Sequence, residues 1–147
     1  TDRFNYERFG TVSWKTVIKN LKKFSKLDRE QFSLDFHSTL SIFNILDADK
    51  VKNLADDLDI DIYFGLVKSP KYFSFLNIPH KGRKYIIKKL KNSVHEIIRE
   101  MAIQLDTDEY HDLNEEFWTE INRIDRVRNQ CFADTYPEMN KIMLISQ

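Results

Sequence analysis

The sequence predicts an all-α fold in a single domain that spans residues 1–147, built as a bundle of about five to seven helices. Hydrophobic residues recur three and four positions apart along most of the chain, which is the spacing of one helix face. Only three Gly and three Pro occur among the 147 residues, so few positions interrupt a helix. A chain of this length buries roughly 70% of the surface that its unfolded form exposes, which is enough for one core.

The first three helices are predicted between residues 14 and 58. An apolar stripe at helical spacing defines the first helix, and it consists of Trp14, Val17, Ile18, Leu21 and Phe24. Asp28 and Gln31 have the spacing of a capping box, and the second helix then runs to Leu46 along Phe32, Phe36, Leu40 and Phe43. Asp47 or Asp49 caps the third helix, whose apolar residues are Val51, Leu54, Ala55 and Leu58.

The segment from Leu58 to Leu66 fits two different periods. Its alternation of apolar and polar residues indicates a half-buried strand, whereas Leu58, Ile62 and Leu66 also share one helix face. A strand needs a partner, and the only candidate elsewhere is the run from Ile142 to Ile145. We therefore favour a helix, and a short β element near 58–66 or 141–146 is the alternative.

Three further helices are predicted in the second half of the chain. Ser69 and Pro70 form an N-cap followed by a proline at the first helical position, which predicts a short helix through Leu76. A second helix begins near Gly82 and carries one long stripe of Ile86, Leu90, Val94, Ile97, Met101 and Leu105. Thr107 and Asp108 cap the last helix, which ends before Pro137 and carries Leu113, Phe117, Ile121, Ile124, Val127 and Cys131.

No motif in the sequence has the residues that a catalytic or metal site needs. Gly10, Gly65 and Gly82 are isolated from one another, which excludes glycine-rich phosphate loops. His95-Glu96 begins like a zinc-protease motif, but Arg99 occupies the position of the second metal-binding histidine. Cys131 lies on an apolar stripe and is predicted to be a core thiol. We expect no enzyme activity, no cofactor and no bound metal.

Charge points to a macromolecular partner instead. The chain carries 23 basic and 23 acidic residues, so an electrostatic partner must bind a local patch. The densest acidic segment contains Asp56, Asp57, Asp59 and Asp61. These residues are predicted to bind another protein with a basic surface, because clustered acids repel one another until a cation approaches. By analogy of size and lack of catalytic motifs, an immunity protein or antitoxin that neutralises a basic nuclease toxin fits this description.

A second function is suggested by the segment Arg126-Val127-Arg128-Asn129 near the end of a predicted helix. This segment resembles the motif of the HEPN family, in which an Arg, often followed by Asn, precedes a His that takes part in RNA cleavage. The position of that His holds Ala133 or a neighbour that is not His. The resemblance therefore implies an RNA-associated domain with a degenerate catalytic motif, which binds RNA through Arg123, Arg126, Arg128 and Asn129.

The sequence also predicts a cytoplasmic protein. The single cysteine cannot form an intramolecular disulfide, which suits a reducing compartment. The apolar runs extend over only a few residues, so we expect no membrane-spanning segment and no signal peptide.

Overall fold

The computed structural model describes residues 2–7, 12–28 and 30–145. Most of these residues are helical, and two short strands form one small parallel sheet. The helices are α1 (Asp2–Glu7), α2 (Trp14–Phe24), α3 (Ala48–Asp57), α4 (His80–Lys91), α5 (Glu96–Gln104), α6 (Asn114–Arg128), α7 (Phe132–Thr135) and α8 (Pro137–Leu144). The strands are β1 (Asp35–Leu40) and β2 (Asp61–Leu66), and single 3₁₀ turns occupy Ile45–Asp47, Lys71–Phe73 and Phe75–Asn77.

The predicted fold class, a helical bundle with a short β element, is confirmed. Within the described ranges, six helices contain eight or more residues, and they are α2, α3, α4, α5, α6 and α8. α1 and α7 add only six and four residues. The core is rich in aromatic side chains: Tyr6, Phe117, Phe132 and Tyr136 are buried, and their rings contact one another edge to face or at tilted angles.

The predicted second helix is wrong. Residues 35–40 form strand β1 instead, and Phe32, which was expected on the helix stripe, is exposed. Phe36 and Leu40 are four positions apart, and that spacing places two residues on the same side of a strand as well as of a helix. Leu40 is fully buried while Thr39 is exposed, so the period of two governs this segment.

The preference for helix at 58–66 is also wrong, and the β alternative at this segment is right. β2 covers residues 61–66 and pairs in parallel with β1, so that Asp35 lies opposite Asp61 and Leu40 opposite Leu66. The partner strand is separated by α3, which makes the unit β1–α3–β2 a parallel crossover. In the other β candidate, 141–146, residues 141–144 form the end of helix α8, and residue 146 lies outside the described residues.

The long helix predicted from Gly82 to Leu105 is two helices, α4 and α5. The chain turns at Ser93, whose hydroxyl oxygen accepts the backbone N–H of His95 at 3.0 Å and whose hydroxyl donates to Asp49. A serine hydroxyl that bonds the backbone two residues later competes with the helix ladder. Val94, expected on the buried stripe, is 84% exposed at this turn.

Helix α6 begins later than predicted, at Asn114 rather than after Asp108. Its first three turns follow the expected stripe, because Phe117, Ile121 and Ile124 are buried. The stripe then ends, since Asn129 closes the helix in the left-handed conformation with φ of 50°. Cys131 follows that break and is exposed, so the prediction of a core thiol is wrong.

The short helix predicted after Ser69 and Pro70 is replaced by the two 3₁₀ turns. Ser74 is the N-cap of the second turn, and its hydroxyl oxygen accepts the backbone N–H of Leu76 at 3.2 Å. Asn77 is completely buried beside it, donating to the carbonyl of Tyr72 at 3.1 Å and accepting the N–H of Leu113 at 2.6 Å. This buried amide joins the turns to the start of α6.

Candidate docking surface

The predicted acidic residues lie along the end of α3 and the turn into β2. Asp56 and Asp57 are the last two residues of α3, Asp59 follows in the left-handed conformation with φ of 54°, and Asp61 begins β2. All four are exposed. Asp56 is engaged by an ion pair with Lys52 one helical turn earlier, so its charge is partly neutralised within α3.

His95 contacts the same end of α3. Its Nε2 lies 2.8 Å from Oδ1 of Asn53, and its Nδ1 lies 3.8 Å from a carboxylate oxygen of Asp56. These contacts join the turn before α5 to α3, so His95 has a structural role. No group of three or more His, Cys, Asp or Glu side chains that could hold a metal occurs among the residues that the structure describes.

The parallel sheet has one buried face and one open face. Leu40 and Ile62 are buried on the inner side. The open face, which we call the open sheet surface, consists of Asp35, His37, Thr39, Asp61, Tyr63 and Gly65. Five of these six are exposed, and only Gly65 is half-buried. A sheet face of this kind is unusual, because parallel sheets are normally covered on both faces.

Two like charges stand side by side at one end of this surface. The register places Asp35 of β1 directly opposite Asp61 of β2. Carboxylates in that relation repel each other, so the pair favours a cation nearby. Asp61 was predicted as a binding residue, whereas Asp35 was missed because residues 28–46 were expected to be helical. The alternation from Asp35 to Leu40 was the signal that could have identified it.

The middle of the open sheet surface carries a histidine above a glycine. A Cβ built on Gly65 would lie 3.2 Å from Cε1 of His37, so the absence of a side chain lets the imidazole lie close to β2. His37 is opposite Tyr63 in the register, and Tyr63 is 57% exposed. The surface therefore presents two rings beside a pair of carboxylates, a combination that can contact both apolar and cationic groups.

Two of the three arginines predicted to bind RNA have other partners. Arg123 makes a two-pronged ion pair with Glu120, with nitrogen to oxygen distances of 2.8 and 2.6 Å. These hydrogen bonds raise the pKa of Arg123 and lower the pKa of Glu120. The guanidinium of Arg128 lies over the ring of Tyr6, 5.8 Å from its centroid. Arg126 is exposed.

Asn129, the fourth residue of the predicted RNA site, closes α6. Its left-handed backbone lets the backbone N–H of Asn129 donate a hydrogen bond to the carbonyl of Asp125. Asparagine is one of the few residues that adopt this conformation readily, so its place here has a structural explanation. Of the four residues, only Arg126 is an exposed cation for which no ion pair or ring contact is found within the described chain.

Comparison with known proteins identifies no relative. No protein-family model, no curated protein and no solved structure matches the chain. In the part of the chain that the structure describes, no helix is long and apolar enough to cross a membrane.

Proposed function

We propose that this chain is a non-enzymatic protein-binding domain that docks a basic partner on the open sheet surface. The observation that carries the proposal is a two-stranded parallel sheet whose one face is open to solvent. Sheets of this kind are normally covered, and the Asp35 and Asp61 carboxylates at its end favour a cationic group on the partner. Asp57 and Asp59, exposed beside the start of β2, extend the same negative potential.

The partner class follows from the charge. A protein that binds nucleic acid has a basic surface, because it must contact phosphates. An acidic domain that covers such a surface would block nucleic acid by competing for the same cations. An immunity protein or antitoxin acting on a nuclease toxin is the specific form of this proposal, and it would act in the cytoplasm.

The test compares two variants with the same change in charge. In the first, Asp35→Asn and Asp61→Asn neutralise the end of the open sheet surface. In the matched control, Asp108→Asn and Glu115→Gln remove two exposed acids elsewhere. A protein captured by the parent chain is purified, and its association rate with each variant is measured at low and at high salt.

We expect the first variant to associate about tenfold more slowly at low salt, with the difference shrinking as salt screens the charges. The control should match the parent. Equal rates for the two variants would contradict the proposed site. Binding of a mixed-sequence RNA that is steeply salt-dependent and is lost when Arg123, Arg126 and Arg128 are changed to Gln would favour the RNA alternative instead.

A further inference from the structure

The outer edge of β1 has backbone groups that no strand satisfies. The carbonyl of Leu40 accepts the N–H of Val67 at 2.8 Å, so Leu40 faces β2. Because successive residues of a strand point to opposite sides, the N–H and C=O groups of Asp35, His37 and Thr39 face away from β2. The Thr39 carbonyl accepts the side-chain amide of Asn44 at 3.1 Å. The remaining outward groups have no hydrogen-bond partner within the described chain.

An apolar groove lies beside this edge. α2 has a clear apolar stripe, yet none of its residues is buried, and Phe24 is 51% exposed. A groove of about 360 Å³ lies between α2, α3 and β1. It is lined by residues of β1, by Trp14 and Leu21 of α2, and by Val51 and Leu54 of α3. A helix stripe of this kind is normally covered by another element. The open edge and this partly covered stripe are two independent features, and they face the same groove.

The second open edge of the sheet is less suited to a strand. The outer side of β2 borders a smaller groove of about 210 Å³, where α5 contributes the polar Glu100 and Gln104 as well as the apolar Ile97 and Met101. The groove beside β1 is larger and its helical walls are apolar at the four positions named above. The edge of β1 is therefore the site at which an added strand would gain both hydrogen bonds and apolar contacts.

We infer that the partner polypeptide adds a β-strand to the outer edge of β1, parallel to it. This inference rests on the proposed docking function and specifies how the partner binds. A parallel direction continues the existing sheet, since sheets with a single strand direction are favoured. It also places the first residues of the added strand beside Asp35, while Asp61 lies one strand further away on β2. The strand is therefore expected to carry Lys or Arg near its start, and Val or Ile at the alternate positions that face the groove.

The test uses an eight-residue peptide with lysine at its first and third positions, threonine at the fifth and seventh, and valine or isoleucine at the even positions. Amide signals of the full chain are followed by NMR while peptide is added. We expect the shifts to concentrate on Asp35, His37 and Thr39. A nitroxide at the peptide's first residue should broaden Asp35 more than Thr39, and a nitroxide at its last residue should reverse the order.

Methylation of the peptide nitrogens provides the matched control. Methyl groups on the alternate residues whose N–H groups face β1 should abolish binding, whereas methyl groups on the other alternate set should leave it intact. Thr39→Pro removes one outward N–H of β1 without removing a bond to β2. Compared with Thr39→Val, it should weaken peptide binding by up to about tenfold, the effect of losing one backbone hydrogen bond.

Several results would overturn the inference. These are equal effects of the two methylated peptides, shifts that map to β2 instead of β1, and no binding of the unmethylated peptide. A dimer of the chain that disappears with Thr39→Pro would also overturn it, because the occupant would then be a second copy. If a purified basic partner binds the Thr39→Pro and Thr39→Val variants equally, strand addition is wrong while the docking function stands.

Discussion

The substitution Gly82→Ala tests the packing of the helical core most directly. Gly82 is buried in the first turn of α4, and a Cβ built there would lie 2.5 Å from Cγ2 of Ile142 and 3.0 Å from Cγ2 of Ile78. Ordinary carbon contacts are about 3.5–4.0 Å, so the new methyl group overlaps both neighbours. Ile142 is 3% exposed and Ile78 is completely buried, which leaves neither side chain free to move aside.

The expected cost follows from two opposing effects. Overpacking of a well-packed core costs about 1–3 kcal/mol. Alanine in place of glycine within a helix gains about 1 kcal/mol. Because two branched, buried side chains are in the way, we expect a net loss of about 1–2 kcal/mol and a melting temperature lower by about 2–8 °C.

Urea unfolding provides the measurement, with a lower midpoint and an unchanged m-value as the expected result. Ile142→Ala removes the nearest clashing atom, so in a double-mutant cycle Gly82→Ala should cost less in that background than in the parent. Gly65→Ala is a useful comparison, because its methyl group would contact only the ring of the exposed His37. If Gly82→Ala is as stable as the parent, the packing of α8 against α4 described above is wrong.

Three further predictions concern side chains around α6 and α7. Tyr6→Phe should destabilise the fold by about 1–3 kcal/mol in urea unfolding, because the buried hydroxyl donates to Asp125 at 2.7 Å; an unchanged midpoint would contradict that bond. Burial raises the pKa values of Tyr6 and Tyr136 in the folded state. The free energy of unfolding should therefore fall as the pH rises above about 10, where these tyrosines ionise in the unfolded chain. Absorbance at 295 nm should show that both tyrosines ionise only on unfolding. Cys131→Ser should change stability by less than about 0.5 kcal/mol, and the native thiol should react with Ellman's reagent, since Cys131 is exposed.

The sequence predicted several helices from apolar residues that are spaced by both three and four positions. α2 and α3 match their predicted stripes, and Phe117, Ile121 and Ile124 of α6 are buried as expected. A mixture of steps of three and four is typical of a helix, but it does not decide alone, because the wrongly predicted second helix also contains both steps. The break between α4 and α5 escaped detection because the apolar spacing continues across it, and Ser93 acts through a side-chain hydrogen bond.

For the two strands, the apolar spacing did not distinguish a strand from a helix. Phe36 and Leu40, and likewise Leu58, Ile62 and Leu66, are separated by four, which satisfies the periods of both structures. What decides between them is pairing between two segments that are 26 positions apart in the register. Neither segment forms a stable strand alone, so each can be recognised as a strand only when its partner strand is known.

The part of the candidate site that lies on β1 was missed for the same reason. The sequence shows a cluster of acids from Asp56 to Asp61, but only the parallel register places Asp35 opposite Asp61 and exposes His37 beside Gly65. The register also leaves the outward N–H and C=O groups of β1 without a strand partner, next to an α2 stripe of which no residue is fully buried. A cationic side chain can pair with the carboxylates, and an added strand can replace water at the outward backbone groups. The partner proposed above, a polypeptide with a basic, strand-forming segment, would meet both requirements.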